Sequence, residues 1–355
     1  MKKWIRTLML IWLLVVFTLW MPGERIGELD GIYLPQSLVV SGNRAIVAQK
    51  STFFVFGLED GEKITRFCEE GEGPGELKFV PMIPTTIQAR DDGFVAEGMN
   101  KIILYSQTDF KISFEKKKGG MAWNFQPFGD DFLCTRFVPR SGDDIDIKLV
   151  LVDENLEEVS VFHSQSTVDR DREVIMLRDP IGFGVSDGHL YVEKSDLGFV
   201  IDVYDRHGEK IRRIQKTDVT SPEVSPEFKR CLMEALRNDA LVMGIANREG
   251  GWDNFVKKTT FTFPPSLPVI RDLRVKNGRV HVMAHTGEYS SARLIVMDTT
   301  GDILHTRRVP FPPSPFFTAN ALGKTIQLWD VDDARYYYLE MDEDSEIWFL
   351  SRIRL

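Results

Sequence analysis

The chain has 355 residues, 43% hydrophobic and 27% charged, with 44 basic against 53 acidic side chains for a net charge of −9. Such a composition supports a packed core, so that a folded chain and not disorder is the expectation; the length suits two ordinary domains or one large all-β domain. An acidic chain without a long basic run lacks the footprint of nucleic-acid binding and is repelled by anionic lipid headgroups, so both partners are excluded from the expectation.

Residues 1–23 form the first element. Lys2, Lys3 and Arg6 precede an almost unbroken apolar run, Leu8 to Met21, which Pro22 and Gly23 end. The run is shorter than the ~17–25 residues of a spanning helix and fits the apolar stretch of a secretory signal. Bulky Leu19, Trp20 and Met21 stand where a cleavage site wants small residues, and no cysteine nearby offers a lipid anchor. The expectation is a signal peptide or N-terminal membrane anchor. The remaining chain is then exported, periplasmic or extracellular, and touches a membrane only through this segment if it is uncleaved.

From Glu24 onward short runs rich in Val, Ile, Phe, Tyr and Thr alternate with turn signals. Six of them read strand, polar turn, strand: Thr52–Ile64, Lys101–Ile112, Leu149–Val159, Val200–Ile211, Leu294–Leu304 and Tyr337–Phe349. Upstream of each lies a second turn between β-like runs, as in "VVSGNRAIVA" from Val39, "FGVSDGHLYVE" from Phe183 and "TANALGKTIQLW" from Thr318. Gly, Asn and Asp at these turns suit the positive φ of tight hairpins. The unit is therefore two hairpins, four strands, recurring six times at a spacing of about 45 residues, a propeller-blade period. Stacking such units in a ring buries both faces of each sheet and leaves only short edges. The segment Arg25–Pro35 is expected to supply a strand that completes the last blade.

One spacing is nearly double. Between the fourth and fifth units, about residues 221–243, Ser225-Pro226-Glu227 makes a helix start. Phe228, Leu232 and Leu236 then share one face. A short amphipathic helix inserted between blades four and five follows. The fold expected over residues 24–355 is thus all-β, a six-bladed β-propeller of four-stranded antiparallel blades with that helical insertion.

The stretch "HLYVEKSDLGFVIDVYDRHGEKI" (His189–Ile211) resembles the repeat of NHL-type six-bladed propellers, and "GEGPGEL" (Gly71–Leu77) resembles a connector of an exported bacterial group of that type. Leu77 stands where that connector often has phenylalanine. The resemblance covers about Leu38 to the C-terminus. It implies fold and compartment rather than a reaction, because that bacterial group has no established biochemical function.

The glycine-rich stretch is not a phosphate loop. A P-loop needs Lys-Ser/Thr after its last glycine, whereas Gly75 is followed by Glu76, Leu77 and Lys78. A dinucleotide loop opens a helix, and Pro81 and Pro84 forbid one here. Glu69, Glu70, Glu72 and Glu76 would repel an anion. The expectation is a connector between blades, in which Gly71, Gly73 and Gly75 allow positive φ.

No catalytic constellation stands out. His281 and His285 share one side of a strand, but lie about 13 Å apart at strand rise, too far for one ion. Together with His189 they are the candidates for a metal site built from several blades; no ligand set is named. Asp330–Glu346 lacks the spacing of a calcium loop. "DRDRE" (Asp169–Glu173) reads as a solvent-facing loop, and Pro310–Phe317 as the link between the fifth and sixth units. Cys68, Cys134 and Cys231 form no metal spacing and read as small buried hydrophobes. No cofactor is expected, although a channel-bound divalent metal stays open. Two functions remain. The first is a non-catalytic binding or scaffold propeller of the cell envelope, recognising a protein, peptide or glycan through its loop face and central channel. The alternative is a metal-dependent hydrolase or lyase with an ion at the channel mouth.

Overall fold

The computed structural model describes residues 23–80, 85–90, 93–119, 121–140, 145–167, 173–177, 181–312 and 327–355. The N-terminal apolar run, the proposed fifth-to-sixth link beyond residue 312, most of "DRDRE" and the turn expected near Thr318 lie outside them.

Six four-stranded antiparallel sheets follow one another along the chain. Blades one to five span Ser37–Phe67, Thr86–Lys117, Ala122–Thr167, Phe183–Lys216 and Ile270–Pro310. In each, the first strand is innermost and the fourth outermost. Inner strands such as "SLVVS" and "RAIVAQ" are buried along almost their whole length rather than at alternate positions. The reason is that each sheet packs on a neighbour at both faces, so both sides of its strands need apolar groups.

The core accordingly lies between blades. Val39, Ile46, Phe53, Ile87 and Phe94 fill the gap between blades one and two; five further clusters fill the remaining gaps. The cluster of Leu38, Phe56, Tyr337 and Leu350 joins blade six to blade one and shuts the ring.

Blade six is assembled from both ends of the chain. Trp329–Val331, Arg335–Asp342 and Ile347–Arg354 are its first three strands, and Glu24–Glu28 is the fourth. Glu24 pairs with Arg352 and Glu28 with Phe349. The expected closing strand is therefore present. It also corrects the reading of the sixth repeat: the hairpin of Tyr337–Phe349 joins the second and third strands, not the third and fourth. The turn at Asp332 is the inner turn instead, because the outermost place is filled from the N-terminus.

Antiparallel alternation gives the disc two unlike faces. The turns joining strands one to two and three to four share one face, here the turn face. The turns joining strands two to three and the blade-to-blade connectors share the other, the connector face. Helices α1 (Pro226–Asn238), α2 (Ala240–Arg248) and α3 (Trp252–Lys258) belong to the connector face. The α1 start is the expected one: Ser225 Oγ accepts from Phe228 N at 3.1 Å, and Phe228, Leu232 and Leu236 are buried. The helical segment is longer than its sequence suggested, since α2 and α3 lack a comparable apolar stripe. It is tied down by Thr260–Thr262, which pairs in parallel with Glu173–Ile175 from the connector between blades three and four.

A polar channel along the propeller axis

The innermost strands of all six blades enclose a channel of about 890 Å³. Its lining is polar, and the polarity differs around the ring. On blades two and three it is amide-rich. Gln88 Nε2 donates to Asn124 Oδ1 at 2.6 Å, and Gln126 Nε2 donates to the Phe183 carbonyl at 3.2 Å on blade four. Asn124 has φ 59° at a register shift between Trp123 and Gln126, so the irregularity is local to the first strand of blade three.

The wall of blades five and six, which meets blade one at the seam of the ring, is charged. Asp272, Arg274 and Lys276 alternate along the first strand of blade five, which directs all three to one side of the sheet. Asp330 of blade six is 2% exposed and accepts from Arg274 Nη1 at 2.9 Å and Lys276 Nζ at 3.1 Å. It also takes the backbone N–H groups of Val40 at 2.6 Å and Val331 at 2.8 Å. Burial alone would raise its pKa, but the two cations and two N–H donors hold the carboxyl below its ordinary value. Lys276 also donates to the Val40 carbonyl at 2.6 Å, so one carboxylate and one ammonium lock three blades together across the seam.

Asp272 is buried differently. Leu273 N, Gln327 Nε2 and Trp329 Nε1 donate to its oxygens at 2.8, 2.5 and 2.8 Å. Burial pushes its pKa up, against the pull of Arg274 and these donors. Arg274 lies over the Trp329 ring at 4.9 Å, and its Nε is buried without a hydrogen-bond partner. At the turn face, Arg206 has no hydrogen-bond or ion-pair partner among the described residues and lies against the turn glycines Gly129 and Gly188.

The three histidines singled out in the sequence do not meet on this axis. His189, His281 and His285 belong to second strands, one layer outside the lining. His281 is buried with both ring nitrogens unpartnered, and burial lowers its pKa to about 4. His285 packs edge-to-face on Phe228 of α1 at 5.9 Å and is likewise lowered by burial, with Arg271 adding to the effect. Among the described residues no group of three His, Cys, Asp or Glu side chains is placed to hold an ion. The cysteines are free thiols; Cys134 is buried and the other two are half-buried.

The glycine-rich connector is held from blade two. Lys101, 1% exposed, donates to the Gly73 carbonyl at 2.8 Å and to Glu115 at 2.7 Å, and Glu115 accepts from Gly75 N at 2.6 Å. Tyr105 donates to the Gly75 carbonyl at 2.9 Å. Its backbone groups are thus occupied by protein. Of the three glycines only Gly75 has positive φ, 76°. Gly71 and Gly73 are needed instead because the Glu76 carboxylate folds against them, accepting from Gly73 N at 2.8 Å.

The lining residues escaped notice in the sequence. Their signal was a polar residue inside an apolar inner run, as in "TIQA", "WNFQP", "LRVK" and "LWDV".

No protein-family model matches the chain, and no curated protein matches it by sequence. Solved structures do. A Bacteroides fragilis NCTC 9343 chain whose name describes it as an exported protein is 11% identical, with 94% of each chain covered and a TM-score of 0.48. The WD40 domain of Neurospora crassa Pan2 is 7% identical over 93% of this chain and 95% of its own, at 0.42. The CNH domain of AfRom2 is 10% identical over 94% and 99%, at 0.40. At such identities no residue role passes from these proteins to this chain.

Proposed function

We propose that this protein is a non-catalytic binding module of the cell envelope that seats a segment of its partner in the axial channel. The observation that carries this reading is the channel: about 890 Å³, within the range of ligand sites, and lined by fixed polar groups. Its two buried carboxylates, Asp272 and Asp330, are held by fixed donors, so the wall is preorganised for recognition.

The positively charged, apolar N-terminal segment supports export and a periplasmic location. Among the described residues no helix is long and apolar enough to cross a membrane. Because Glu24–Glu28 enters blade six from the turn face, a retained segment would attach at that face. The repeated outer turns support placement with NHL-type exported propellers. Asp205 of "VYDRHG" accepts from the N–H groups of His207 and Glu209, and Asp153 and Asp298 each accept from the backbone two and four residues on. The hydrolase or lyase alternative has no comparable support, since its candidate histidines lie off the axis.

A photo-crosslinking residue placed at Gln88, in the channel, tests the reading against one at Glu59, on an outer turn. In envelope-bearing cells the Gln88 position should give discrete adducts that the Glu59 position does not. Identical adducts from both positions, or none from Gln88, would overturn it.

A further inference from the structure

We infer that the segment seated in the channel is an extended peptide carrying an acidic side chain, held at the turn-face mouth by Arg206. This rests on the channel-binding reading and adds the chemistry of the ligand.

The channel has hydrogen-bonding capacity that its own residues leave unused. The acids of the charged wall and of the Asp332 turn are already engaged. Asp330 has four donors, Asp272 three, and Asp332 accepts from Tyr337 and from the backbone of Ala334 and Arg335. Donors, by contrast, are left over. The whole guanidinium of exposed Arg206 is free among the described residues, whereas the unpartnered Arg274 Nε is buried against Trp329, out of a ligand's reach. A planar guanidinium offers a paired set of N–H groups that matches a carboxylate.

The amide wall lacks partners in the opposite sense. Gln88 and Gln126 spend an amide N–H on protein acceptors, and among the described residues nothing donates to their side-chain carbonyls. A ligand that satisfies both must present N–H donors along its length and an anion at one end. An extended peptide does this. Gln126 lies three residues from the turn glycine Gly129, about 10 Å at strand rise, so an extended peptide whose acidic residue pairs with Arg206 at the mouth brings the backbone about three residues further along beside Gln126. A glycan supplies hydroxyl groups as well, but the apolar face of a sugar ring needs an exposed aromatic partner. The aromatic residues of the lining, Phe128 and Phe183, are 4% and 3% exposed and already packed in the gap between blades three and four.

The test uses residues 24–355, which include every strand of the closed ring. Purified protein is applied to an array of random octapeptides and, in parallel, to a glycan array. The peptides retained by wild type should be enriched for Asp or Glu at one position. Arg206→Ala should weaken those peptides at least tenfold, leave the melting temperature unchanged and abolish the acidic preference. Arg206→Lys, which keeps charge but not the fork, should restore only part of the affinity. Retention without acidic enrichment, or affinity indifferent to Arg206→Ala, would overturn the inference. Binding to glycans alone would overturn it too, while leaving a channel-binding module in place. Binding to neither array would count against both readings.

Discussion

Removing the Asp330 carboxylate should loosen the seam of the ring. Asp330→Ala deletes the acceptor shared by Arg274, Lys276 and two backbone N–H groups. Truncating one partner of a buried pair costs about 3–5 kcal/mol, because the opposite charge is stranded. Arg274 and Lys276 are 17% and 23% exposed, so water relieves part of that cost and the lower end applies. The orphaned Val40 N–H adds about 1 kcal/mol. A loss of about 4 kcal/mol, divided by an unfolding entropy of roughly 0.7 kcal/mol/K for a chain of this size, lowers Tm by about 6 °C. Lys276→Met should cost only about 1 kcal/mol, because Arg274 still neutralises Asp330. The double variant should be less damaging than the sum, by at least about 1 kcal/mol. Differential scanning calorimetry on residues 24–355 gives all three numbers. A drop below about 2 °C for Asp330→Ala, or a larger one for Lys276→Met, would refute the idea that this carboxylate holds blades one, five and six together.

In Gly27→Ala the new methyl would lie 2.6 Å from the Asp60 carbonyl oxygen and 2.9 Å from Gly61 Cα, backbone that cannot swing aside, so overpacking should cost about 1–3 kcal/mol in chemical denaturation. Gly71→Ala meets the Glu76 side chain, most closely at its carboxylate, which can swing aside, and should cost less in the same assay. His281 has its pKa lowered by burial to about 4, so the unfolded chain takes up the proton first as pH falls below about 6.5. Its contribution to stability is therefore intact above that pH and lost progressively toward pH 4. His281→Leu should flatten the pH dependence of Tm between pH 4 and 6.5, and an unchanged slope would refute this. Finally, dialysis against a chelator should leave Tm unmoved and elemental analysis should find less than one equivalent of divalent metal. A stoichiometric ion that stabilises the fold would revive the metal-dependent enzyme.

Much of the architecture was legible in the sequence. Turn chemistry is local: Asp205, Asp298 and the glycines after them form their turns from their own backbone, so six repeats could be counted from spacing alone. The start of α1 was equally legible, because the Ser225 cap and the Phe228, Leu232, Leu236 stripe are contained within four turns of chain. The role of Glu24–Glu28 as a closing strand could be anticipated from its place before the first full unit. Which strand of blade six it displaced could not, since that depends on a pairing with residues more than 300 positions away.

The site was a different matter. Strand period shows which residues share a side of a sheet, but not which sheet edge becomes the axis, and every inner run resembles the apolar strands around it. Gln88, Gln126, Arg274 and Asp330 became a lining only when six sheets closed and their first strands turned inward. The histidines, more conspicuous in the sequence, fell one strand outside that lining. Sequence by itself determined the repeat, the turns and the inserted helix, because these are set by neighbours along the chain. Tertiary structure decided the channel and the saturation of its buried carboxylates, because such a carboxylate finds its donors only where distant blades meet.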